Sequence, residues 1–117
     1  MQTTKLTASK AIELLKDIPE EDFITDRFTD KQGKCCAIGH LQRLTSQNPT
    51  NYSQNNCSDR IEGDIRIASN KYLTEAYNLS YESIASVNNE NTINGYNENT
   101  PKQRVLHLLE DMVKAGY

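Results

Sequence analysis

The chain has no tryptophan and only two phenylalanines among its 117 residues, so leucine, isoleucine, valine and tyrosine must fill its core. No apolar run approaches the roughly 20 residues that cross a bilayer. Residues 1–30 contain no apolar stretch of the kind a signal peptide carries, so no membrane partner and a cytoplasmic location are expected. Lysine and arginine form no run and the formal net charge is -3, which gives no broad attraction to a phosphate backbone. Nucleic acid is therefore not expected as a partner. The glycine-rich patterns that cradle phosphates are missing as well, and no cofactor is expected.

What is present reads as one domain, residues 1–117, with a thin core. Residues 1–6 form a loose lead-in. Apolar positions at Ala8, Ala11, Ile12, Leu15 and Ile18 repeat at helical spacing behind Thr7, a good N-cap, and Pro19 ends the stripe. A second long helix follows from a capping pattern of Asp59 and Glu62 through Ile61, Ile65, Ala68, Tyr72 and Ala76. The last helix begins at Thr100 with Pro101 and Gln103 behind it, another capping box. It buries Val105, Leu108, Leu109, Met112 and Val113, and Gly116 closes it. Between these lie a short helix from about Cys35 to Thr45 and a further turn after Ser80 carrying Ile84 and Val87. Residues 46–58 and 88–99 are polar loops. The expected fold is mainly α: a compact small helical domain of three main helices, with room for one short β-hairpin near residues 23–35. An α+β arrangement is the alternative, with Phe23–Phe28 and Ile84–Val87 paired as strands.

The chemistry-bearing residues concentrate in Arg27–Leu41. Asp30 and Gly33 mark a turn, since aspartate bonds its own backbone and glycine accepts positive φ. Cys35 and Cys36 then open a helix, where free N–H groups favour a thiolate. His40 follows Cys36 by four residues, on the same helical face. Cysteine with histidine is the minimum for an activated thiol, with Cys36 (or Cys35) as nucleophile and His40 or His107 as base. Against this, thiol enzymes bring their histidine from elsewhere in the fold, and His107 falls on the polar side of the last helix. Cysteine is also among the most buried residue types. A packed Cys36 is the preferred reading, and Gly39 inside the helix points to a close approach of another element. Cys35, Cys36, His40 and Cys57 lack the spacing of a zinc site, so no metal is expected. In a reducing compartment an odd cysteine set reads as free thiols. Lys31, Lys34, Arg27 and Arg43 with Phe28 read as a solvated rim.

The segment Cys36-Ala37-Ile38-Gly39-His40-Leu41 resembles the C-x-x-G-x-L signature of a group of small bacterial and phage domains of unknown function. In these domains an Asp/Gly turn precedes the cysteine, and a hydrophobic-Asn-Asp element precedes a final amphipathic helix. Here Asp30 to Gly33, Val87-Asn88-Asn89 and Pro101–Ala115 stand at those places. Asn89 replaces the acidic residue and His40 a small one. The resemblance implies a shared fold in which Cys36, Gly39, Leu41 and Asn88 form a structural motif, with Cys36 and Asn88 near each other. It implies no activity.

Two functions follow as expectations. The first is a small intracellular binding or interaction module, of the kind a phage or mobile element carries as an accessory protein. It would take an unknown protein partner or small ligand through its Asn-rich loops and through Tyr52, Tyr72, Tyr77, Tyr81 and Tyr96. Homodimerisation through an exposed stripe would suit so thin a core. The alternative is a thiol-dependent hydrolase or transferase that uses Cys36 with a histidine base, Asn88 orienting it or donating to an oxyanion. The balance falls against an enzyme.

Overall fold

Helix follows helix along the chain in the computed structural model, which describes residues 7–25, 32–45, 60–93 and 95–117. The helices are α1 (Ala8–Leu15), α2 (Ala37–Thr45), α3 (Arg60–Tyr77), α4 (Ile84–Asn89) and α5 (Pro101–Lys114), with one 3-10 turn at Glu20–Asp22 after α1. The fold is mainly α, and no strand occurs among the described residues. The expected lead-in 1–6, the loop 46–58, Asp59 of the second capping pattern and the rim residues Arg27, Phe28 and Lys31 lie outside the described residues. A radius of gyration of 13.2 Å matches the value of about 13 Å for a compact chain of this length. Among the described residues no helix is long and apolar enough to cross a membrane.

Local chemistry sets the helix ends. Thr7 Oγ1 accepts from the Lys10 N–H at 3.1 Å and caps α1, which stops at Leu15, short of Ile18. Thr100 Oγ1 accepts from the Gln103 N–H at 3.3 Å with Pro101 in the first turn of α5. The expected capping box there is only half made. The Gln103 side chain does not reach back to its own cap but donates to Glu20 Oε2 at 3.1 Å, tying α5 to the 3-10 turn. At the other end Gly116 takes φ +91, and the N–H groups of Tyr117 and Gly116 return to the carbonyls of Met112 and Val113. This is the Schellman closure that only glycine enters without strain.

α1 and α5 form the most extensive helix pair, and α4 packs on α5 nearly as closely. From α1, the small side chains of Ala8 and Ala11 and the larger Leu15 are fully buried. From α5 come Val105, Leu108, Leu109 and Met112, all fully buried. Val113, expected among them, sits at the edge of the stripe and is 43% exposed; Arg104 occupies the buried flank instead.

Among the described residues the expected β features do not form. Ile84–Val87 belong to α4, capped by Ser83 with a reciprocal Ser86 box, so they cannot pair as a strand. Among the described residues of 23–35 there is one isolated bridge, between Phe23 and Cys35, and it is parallel, whereas a hairpin would be antiparallel. The pairing ends there because Cys36 already accepts the first hydrogen bond of α2, from the His40 N–H. The 88–99 loop starts two residues late, since Asn88 and Asn89 finish α4. Its Asn97 side chain donates to the Asn91 and Ile93 carbonyls and accepts from the Gly95 N–H. This holds a turn that delivers Ile93 and Tyr96 to the core.

The buried Arg104 binds these parts together. Its Nε donates to the Val87 carbonyl at 2.8 Å, one terminal nitrogen to the Asn88 carbonyl at 2.6 Å and the other to the Glu98 carbonyl at 2.8 Å. Burial pushes its pKa down, opposed by the nearby Glu98 carboxylate. Lysine carries one ammonium and cannot span three carbonyls in a fixed plane. Arg104→Lys should therefore cost about 2 kcal/mol, and Arg104→Ala about 3–5 kcal/mol, read as falls in the urea midpoint.

Candidate functional site

The segment that concentrates cysteine, glycine and histidine in the sequence forms the start of α2. Gly33 takes φ +83 in the turn before it, and its carbonyl accepts the Cys35 Sγ at 3.6 Å. Cys36 is the residue before α2, and its Sγ accepts the Gly39 N–H at 3.4 Å, so the thiol acts as the helix N-cap side chain. Asn88, on α4, supplies the next cap. Its Oδ1 accepts the Ala37 N–H at 3.0 Å, across 51 residues of sequence. The Asn88 Nδ2 then donates to the Ile24 carbonyl at 3.0 Å and to Asn89 Oδ1 at 3.0 Å. One amide side chain thus fastens α4, the start of α2 and the segment after the 3-10 turn.

His40 sits on α2 beneath this cap and is buried. Its Nε2 lies 2.9 Å from the Asp22 carbonyl. A carbonyl only accepts, so Nε2 carries the proton. The ring packs against Phe23 with centroids 4.7 Å apart. Gly39 and Leu41 are buried as well. The structure therefore gathers Cys36, Gly39, Leu41, His40 and Asn88 around one helix start. The imidazole is directed to Asp22, and the Asn88 amide to two backbone groups and the Asn89 side chain. Cys36 is 7% exposed and Cys35 is buried. Of the four residues weighed for zinc, Cys57 lies outside the described residues. Among those described, no three His, Cys, Asp or Glu side chains are placed to hold a metal ion.

His107 belongs to a second cluster, which the spacing of residues in the sequence does not mark. Its Nδ1 lies 2.7 Å from Glu98 Oε2 and its Nε2 3.5 Å from Asp111 Oδ2. Tyr96, fully buried, donates its hydroxyl to Asp111 Oδ2 at 2.7 Å, and its ring meets the His107 ring edge-on. Tyr77, Tyr72 and Tyr117 continue the series of edge-to-face rings. Tyr96 and Tyr72, expected as surface contacts, are core residues, and Tyr52 lies outside the described residues. Six tyrosines in a chain with two phenylalanines were the available signal. What hid the cluster is that its carboxylates come from a loop and from α5.

Two measurements check these assignments. Asn88→Ala leaves the Ala37 N–H and the Ile24 carbonyl without their partner, and should cost about 2–4 kcal/mol in urea unfolding, against well under 1 kcal/mol for an exposed asparagine. The second concerns Tyr96, whose pKa is pushed far up by burial, then by its bond to Asp111 and by Tyr77 and Tyr72. A raised folded pKa means this contribution is whole below the unfolded phenol value of about 10 and is lost as pH climbs above it. Stability should fall there by about 1.4 kcal/mol per pH unit for each such tyrosine, and Tyr96→Phe should flatten that alkaline limb.

No family model, no curated protein and no solved structure matches this chain, which leaves the geometry of these residues as the ground for a functional reading.

Proposed function

We propose that this chain is a small cytoplasmic binding module, and that it engages a protein partner through Tyr81 together with Ile67 on the Asn70 flank of α3. The observation that carries the reading is a large side chain held out on a fixed backbone. Tyr81 is 96% exposed. The turn beneath it is clamped, because Asn70 Nδ2 donates to the carbonyls on both sides, Ser80 at 2.8 Å and Glu82 at 2.9 Å. The Leu79 N–H returns to the Leu73 carbonyl, and Asn78 takes φ 61 to let the chain leave α3. Ile67, 70% exposed, stands three residues before Asn70 and so on the same flank of α3. Tyrosine anchors are prominent in binding hot spots, and a backbone already ordered avoids part of the entropy loss of association.

The alternative, a thiol-dependent hydrolase or transferase, keeps one supporting observation. Cys36 Sγ lies at the α2 N-terminus with an N–H directed at it, the setting in which thiolates are favoured. Its burial argues the other way.

Two experiments separate the readings. With Cys57 replaced by serine, labelling by a chromogenic disulfide at neutral pH should leave both remaining thiols unreacted until denaturant is added. Rapid labelling of Cys36 in the folded protein, slowed by His40→Gln, would support the enzyme and count against the module. Partner binding should be weakened at least tenfold by Tyr81→Ala and by Ile67→Ala, with melting temperatures within about 2 °C of the parent, as for surface substitutions. Capture of the same partner by both variants at undiminished affinity would sink the proposal.

A further inference from the structure

We draw no further inference here: the strongest candidate, the Glu98–His107–Asp111–Tyr96 side-chain cluster where the loop before α5 meets that helix, has both imidazole nitrogens and the phenol hydroxyl engaged within itself, and its one buried atom without a partner, Glu98 Oε1, belongs to a side chain a third open to solvent and points to no ligand.

Discussion

The guanidinium of Arg104, laid across the carbonyls of Val87, Asn88 and Glu98, is the contact on which the other polar contacts depend. α4 has six residues, too few to be stable alone, and most of its backbone groups find no partner inside it. Its N-terminus is served by Ser83 and by Ser69 of α3, whose Oγ accepts the Ile84 N–H at 2.8 Å. Its C-terminus is served by Arg104 from α5. A cation at a helix C-terminus also faces the negative end of the dipole, which offsets part of its desolvation. The short helix is thereby held in one orientation, and only in that orientation does the Asn88 side chain reach α2.

That dependence explains the use of cysteine, histidine and asparagine at the candidate site. The N–H groups at the start of α2 are buried, where water cannot serve them, so each needs a protein acceptor. Cys36 Sγ takes one and Asn88 Oδ1 another. His40 takes up the same task on the next segment, donating to Asp22, while Cys35 pairs with the backbone at Asp22 and Ile24 through its own amide and carbonyl. Residue types that carry chemistry in enzymes are engaged here in closing the backbone around one helix end. Sulfur is a poor acceptor, and its use at this position leaves the thiol available for chemistry only if the cap opens.

Much of the fold was legible because the helices announce themselves. Thr7, Thr100 and Gly116 act as their residue types suggest, and the stripes of α1 and α5 face the core. The polar residues on the stripes are harder to read. Ile84, Val87 and Asn88 follow a helical stripe, with asparagine at a core position, and Arg104, Leu108 and Met112 do the same on α5. Each departure from apolar character along these stripes marks a buried hydrogen-bonding residue, yet an isolated stripe also fits a polar residue at its edge. The partner decides between the two, and Arg104 and Val87 stand 17 residues apart. The hairpin expected near residues 23–35 failed for a related reason. A short apolar segment beside a turn fits either strand direction, and the Asn88 amide fixes the parallel one by holding Ile24 against the start of α2.

The same division of labour indicates where a partner can act on this scaffold. A ligand that sought Cys36 or Asn88 would have to displace backbone hydrogen bonds that hold three elements in place, at roughly 1–3 kcal/mol for each group left unsatisfied. Binding at Tyr81 would displace none. Its turn is anchored from below by Asn70, whose amide faces the protein, while the phenol ring faces outward. The two exposures differ because the two stretches solve different problems: the start of α2 must hide its N–H groups, whereas the α3–α4 turn satisfies its carbonyls with one side chain and leaves the next residue free. Recognition at the turn would break no contact of the fold, whereas chemistry at the cap would have to break several.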